Sequence, residues 1–180
     1  MIIDTLIPKI PVISAWIDGT IRNHRDLAKS VISFGFSRLP DYYSKNLLSS
    51  TNVVIIDDKV PMPPLVQMGL SQFQSFENRQ DLVGITYKDT YFVVANESGS
   101  ESLHFHELVH VVQWAHLGVD RFLLAYAVGL LQSGYDNSPL ERMAYRYEAD
   151  FRQGKKIGNL EKTIQDELDA NPTLYPKIGC

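Results

Sequence analysis

SLHFHELVHVVQWAHL, residues 102–117, is the stretch on which the reading of this chain turns. It contains neither proline nor glycine, and Gly118 follows as a natural stop, so it reads as a helix of about 14 residues. Leu103, Phe105, Leu108, Val109, Val111, Val112, Trp114 and Ala115 clothe most of its circumference, which predicts a buried helix rather than a surface one. His106, His110 and Gln113 are the polar exception, within about 60° of one another on the helical wheel. Polar groups on a buried helix must find partners, because leaving them unpaired costs several kcal/mol.

Within that helix His106-Glu107-Leu108-Val109-His110 places two imidazoles four positions apart, hence on one face, where they can grip a single ion. Glu107 falls at the edge of the same face. Zn²⁺ lowers the pKa of a bound water to about 7, and a carboxylate within reach can take the proton as that water attacks a carbonyl. The bland alternative is a pair of core histidines bonded to backbone. His104 and His116 lie on the opposite side of the wheel and are read that way, not as ligands.

A catalytic zinc site usually has three protein ligands. The chain has one cysteine, Cys180, so a downstream carboxylate is the candidate. Ser138-Pro139 starts a helix that can run to Gly154, with Glu141 one turn inside it and Glu148 seven residues later on the same face. Two readings compete. Ser138-Pro139-Leu140-Glu141 matches a capping box, which would make Glu141 structural and leave Glu148 to bind metal. Alternatively Glu141 is the ligand, held rigidly on a capped first turn.

From Leu103 to Phe151, HFHELVHVVQWAHLG and then FLLAYAVGLLQSGYDNSPLERMAY, the chain resembles the zincin metallopeptidases, more narrowly the small gluzincin-like ones. The resemblance covers about a quarter of the chain and is specific at His106, Glu107 and His110. It implies Zn²⁺ held by His106, His110 and Glu141, Glu107 as general base, and a peptide or protein substrate. It favours Glu141 over Glu148. In related gluzincins an aspartate four residues after the ligand glutamate commonly orients a histidine. Here that position is Tyr145, which leaves Asp150, Asp136 or Gln113 to partner the histidines.

The resemblance also implies a sheet upstream of the metal helix, whose nearest strand would bind extended peptide through its backbone. Residues 83–95, VGITYKDTYFVVA, read as a hairpin turning at Lys88-Asp89, and 53–57 as a further strand. Stabilising a developing oxyanion needs a donor. Tyr126, Tyr135 and Tyr145 are candidates, with Tyr135 in the SGYDN loop preferred, although any one of the 9 tyrosines is more often a packing residue.

Elsewhere, residues 11–36 have helical spacing, with Gly19 and Gly35 as breaks. Residues 122–131 read as a second core helix, and 159–168 as a short polar helix before a tail that begins after Pro172. The expected fold is α+β: one mainly helical, zincin-like domain over 1–180, with a small sheet or hairpin beside the metal helix. Its parts are a helical region 1–50, a catalytic core 51–158 and a C-terminal helix and tail 159–180.

With 44% hydrophobic and 21% charged residues the chain has material for a globular core. A net charge of −4 with scattered basic residues argues against nucleic acid as partner. The longest uncharged apolar run, 122–131, is too short to span a membrane. Asp4 and two prolines interrupt the apolar N-terminus, so a signal peptide is not expected, and with a single cysteine the expected setting is cytoplasmic. The sequence therefore points to a zinc metallopeptidase, with a noncatalytic, zinc- and peptide-binding module on the same scaffold as the alternative.

Overall fold

The computed structural model describes residues 2–171. The fold is α+β: helices pack around a four-stranded mixed sheet. Helix α1 (Ile2–Leu6) leads through a 3-10 turn into α2 (Ile10–Asn23), which has Pro11 in its first turn, where a missing N–H costs nothing. Its apolar spacing continues beyond Asn23, but the helix does not. Gly19 lies within α2 and is not the break expected there. Lys29–Ser30 form strand β1, and Val31–Phe34 a 3-10 turn. Leu27, counted in the expected helical stripe, is 60% exposed.

After α3 (Lys45–Ser50) come strand β2 (Asn52–Ile56), the short α4 (Gln74–Glu77), and the hairpin β3 (Gly84–Tyr87) and β4 (Thr90–Val94). The hairpin turns at the expected dipeptide, with Lys88 at φ 59°. Strand order is β1-β2-β4-β3; β2 and β4 run parallel, and the other two pairs antiparallel. β4 is central and buried along its length, and Val53, Val54, Tyr87, Tyr91, Phe92, Val93 and Val94 form the sheet's contribution to the core. β3 is an edge strand packed beside α5.

Helix α5 (Glu101–Ser133) is the axis of the molecule. Gly118, at φ 71° and ψ 173°, bends it into the two helical arms that the sequence predicts. Every residue from His104 to Trp114 is buried, so the first arm is enclosed on all sides. Helix α6 (Pro139–Arg152) lays Leu140, Met143, Ala144, Tyr147 and Phe151 against it, and Phe151 stacks on Phe105 with ring centres 4.5 Å apart. Helix α7 (Leu160–Ala170) is capped by Asn159. It is less uniformly polar than its sequence suggests, since Leu160, Ile164 and Leu168 form a buried stripe. The tail after Pro172 lies outside the described residues. Among the described residues, no helix is long and apolar enough to cross a membrane.

Candidate metal centre

Three side-chain atoms meet where the first arm of α5 faces the start of α6. His106 Nε2 and His110 Nε2 lie 3.2 Å apart, and Glu141 Oε2 lies 3.3 Å from the first and 3.4 Å from the second. All three residues are buried. The triangle has the dimensions of one face of a tetrahedron: bonds of roughly 2.0–2.1 Å from a central zinc give edges of about 3.3–3.4 Å.

The outer hydrogen bonds decide what these atoms are. His106 Nδ1 lies 3.2 Å from Glu148 Oε2, and His110 Nδ1 lies 2.8 Å from Gln113 Oε1. Both partners are acceptors, so each ring keeps a proton on Nδ1 and, in its neutral form, turns a bare Nε2 inward. The Gln113 amide is oriented in turn, because its Nε2 donates to the Leu140 carbonyl at 3.1 Å. Glu141 Oε1 accepts from the Tyr126 hydroxyl at 2.6 Å, whereas Oε2 is buried with no hydrogen-bond partner. Three acceptors thus converge with no donor of their own among them. Such a set could hold a metal ion, and two imidazoles with one carboxylate suit Zn²⁺.

Without an ion the site recruits a proton. Burial opposes the charged form of His106, but the carboxylates of Glu141 and Glu148 outweigh it and push the imidazole up to about 10. Burial likewise opposes ionisation of Glu141, yet His110 and His106 hold its carboxyl well below the usual carboxylate range. Glu148 is also lowered: burial works against the carboxylate, but His106 and Arg152 favour it.

Glu107 stands beside this triangle without joining it. Its Oε2 accepts from the Thr86 hydroxyl on β3 at 2.6 Å, and its Oε1 sits over Gly84, where a Cβ would lie 2.3 Å away. A side chain at position 84 would therefore displace the carboxylate. Burial raises the Glu107 carboxyl against the opposing pull of His106, His110 and the Thr86 bond. A carboxyl raised in this way holds a proton more readily than a free one, as a group that takes up and returns protons must.

The capping box does not form. Ser138 makes no side-chain cap and its hydroxyl has no hydrogen-bond partner, while the Glu141 carboxylate turns away toward the histidines. Helix entry is set by Pro139 and extended backbone at Ser138. Glu148 lies on the outer side of His106. Of the three proposed histidine partners only Gln113 serves; Asp150 pairs with Lys155, and Asp136 lies 3.9 Å from Arg79.

The tyrosines divide. Tyr126 is spent on Glu141. Tyr145 is 41% exposed and sets its ring against His106, with centroids 4.7 Å apart. Tyr135 lines the same cavity as Glu107, His110 and Glu141, its ring stacked on Phe76 and covered by the Arg79 guanidinium at 4.2 Å. Burial, followed by the charge of Glu141, pushes its hydroxyl far above the usual tyrosine range, so it remains a donor. Thr86, Gly84 and the Tyr126–Glu141 bond are absent from the sequence reading, because no motif marks a strand residue that meets a helix 21 positions later.

His104 and His116 stay outside the cluster. His104 is held by the Tyr91 hydroxyl at 2.6 Å and the Ser98 carbonyl at 2.9 Å, and His116 pairs with Asp169 on α7 at 2.7 Å. In comparisons with known proteins, no family description, curated protein or solved structure matches this chain.

Proposed function

We propose that the chain is a zinc-dependent peptidase of the zincin type, with His106, His110 and Glu141 as ligands and Glu107 as general base. The observation that carries this reading is the triangle of three undonated acceptors with a separately held, raised carboxylate beside it. Zinc, when bound, supplies a Lewis acid for the scissile carbonyl and acidifies water. The chain's own residues do the rest. Glu107, anchored by Thr86, takes a proton from the attacking water and returns it to the leaving amine. Gln113 and Glu148 hold the two imidazoles in the tautomer that leaves Nε2 free, and Tyr126 fixes the rotation of Glu141. Tyr135 is the candidate donor to the oxyanion.

Peptide is the favoured substrate because of β3. Val94 N–H bonds to the Val83 carbonyl, so by the alternation of an antiparallel ladder Gly84 and Thr86 turn their backbone groups away from β4. An extended chain laid there would run past Glu107 and pair at Gly84, since the Thr86 carbonyl already accepts from the Trp114 indole N–H at 3.1 Å.

The test is Glu107→Gln on zinc-loaded protein with a peptide library. The amide keeps the Thr86 contact but cannot accept the proton, so turnover should fall at least ~100-fold with zinc content unchanged. Equal processing by the two proteins would remove Glu107 as base. Zinc binding without turnover in the parent would favour the noncatalytic peptide-binding module.

A further inference from the structure

Glu141 brings two oxygens to the interface between α5 and α6, and their neighbours differ. Oε2 faces His106 and His110 with no hydrogen-bond partner, whereas Oε1 accepts from the Tyr126 hydroxyl at 2.6 Å. Tyr126 reaches Glu141 only because α5 folds back on itself. It lies 16 residues beyond His110, ~24 Å along a straight helix, and the bend at Gly118 returns it to the level of the histidines. Its ring is then fixed by other rings. Phe122 stacks on it at 5.7 Å and Phe76 meets it edge-on at 6.0 Å. Phe122 stacks in turn on Trp114 at 3.9 Å, and the Trp114 indole N–H is tied to the Thr86 carbonyl on β3. The hydroxyl is therefore aimed by a stack that bridges both arms of α5 and the sheet.

We infer that Tyr126 is a positioning residue that makes Glu141 a one-oxygen ligand, and that it thereby sets the centre's preference for a four-coordinate cation over six-coordinate ions such as Mn²⁺. The inference rests on the metal-binding part of the proposed function and not on peptide cleavage. A carboxylate can hold a cation through one oxygen or through both. With a hydroxyl proton directed at Oε1, a cation approaching that oxygen meets the positive end of the O–H dipole, so the favoured approach is to Oε2 alone. Two imidazoles and one carboxylate oxygen leave a fourth position open, as a tetrahedral catalytic site requires. Without the hydroxyl, Oε1 would be a buried acceptor facing aromatic rings, and a stranded acceptor carries its full desolvation penalty. Turning toward the cation is the compensation within reach. A second oxygen from Glu141 would bring the site closer to the oxygen-rich, octahedral surroundings that suit Mn²⁺.

The experiment loads the protein with Co²⁺, whose visible absorption is much stronger in four-coordinate than in six-coordinate surroundings, and compares the parent with Tyr126→Phe, which removes one oxygen and keeps the ring. The parent should give the strong band and the variant a clearly weaker one. In competition titrations with Zn²⁺ and Mn²⁺, Tyr126→Phe should lower the preference for Zn²⁺ at least ~10-fold, the scale of losing an outer hydrogen bond. A tyrosine that only packs would weaken both cations alike and leave the band and the ratio unmoved. Phe122→Leu, which loosens the stack behind the phenol, should move both readouts the same way by a smaller amount, and it serves as the test should the phenylalanine protein fail to fold. A weak band in the parent, or variants that keep the parent's band and ratio, would overturn the inference even if peptides are cleaved. A parent that takes up none of the three cations would overturn both the inference and the metal centre. A strong band weakened by Tyr126→Phe, with no peptide turned over by the parent, would uphold the role of Tyr126 and count against the peptidase reading alone.

Discussion

Three histidines are buried in the first arm of α5, at 0%, 5% and 5% exposure, yet they belong to different parts of the molecule. His104 spends both ring nitrogens, on the Tyr91 hydroxyl and the Ser98 carbonyl, and packs its ring against Phe36 at 4.5 Å. His106 and His110 spend one nitrogen each and aim the other at one another and at an unpartnered carboxylate oxygen. Burial is common to all three, so burial does not mark the site. Convergence of unspent acceptors does, because a single unpartnered buried atom also occurs elsewhere, at the hydroxyls of Thr51 and Ser138, whereas three acceptors aimed at one point need a shared cation or proton between them.

The sharpest way to break that comparison is to remove one member of each class. His110→Ala should weaken zinc retention by more than ~100-fold, since it removes one of three ligands and exceeds the 10–100-fold cost of losing an outer partner. His104→Ala should leave zinc stoichiometry intact while lowering stability by about 2–4 kcal/mol, the scale of a buried cavity plus a stranded Tyr91 hydroxyl. Competition with a chelator reads the first effect and denaturant unfolding the second. Comparable zinc loss in the two variants would erase the distinction between them.

A smaller effect separates the two glutamates of α6. Glu141 points between the histidines, whereas Glu148 touches only the outer nitrogen of His106 and is shared with Arg152 at 3.0 Å. Glu148→Ala should therefore cost roughly 10-fold in zinc affinity, toward the lower end of the range for outer partners, and Glu141→Ala considerably more. A larger loss at position 148 in the same chelator assay would transfer the ligand role to Glu148.

What was legible in the sequence follows from how far each signal reaches along the chain. The helix holding His106 and His110, its stop at Gly118, the hairpin about Lys88-Asp89 and the helix begun by Pro139 are local patterns, and each lies where the pattern puts it. Residues 24–36 misread as helix because apolar spacing at Leu27, Val31 and Ile32 cannot reveal that Leu27 faces solvent. At Ser138 the capping box was a sound local alternative, overridden because Glu141 turns across the interface to His106, His110 and the Tyr126 hydroxyl instead of back to a single backbone N–H. The anchoring of Glu107 by Thr86 and of Glu141 by Tyr126 depends on pairs brought together only by packing, 21 and 15 residues apart. The direction in which the histidines point was recoverable in part, since Gln113 lies one turn beyond His110 on the same face.

The smallest effect, a few degrees in melting temperature, distinguishes the same histidines by pH. In the metal-free protein His106 is raised from 6.5 to about 10, so the folded state holds a proton that the unfolded chain releases earlier. Its contribution to stability is complete below about pH 6.5 and is lost as pH rises toward 10. Glu141 is lowered, so its contribution is present above about pH 4.5 and is lost only at much lower pH, outside this window. His104 has the opposite sign to His106: burial lowers it, and its contribution fades as pH falls below 6.5. Zinc reverses the trend at His106, because ligation needs the neutral ring and displaces the proton, so the advantage of loaded over metal-free protein should widen between pH 6.5 and 9. Thermal melts of both forms across that range, with His106→Gln as control, provide the measurement. A metal-free melting temperature that does not fall with rising pH would mean that no shared proton bridges His106 and Glu141. The inward-facing triangle would then differ from the environment of His104 in shape alone.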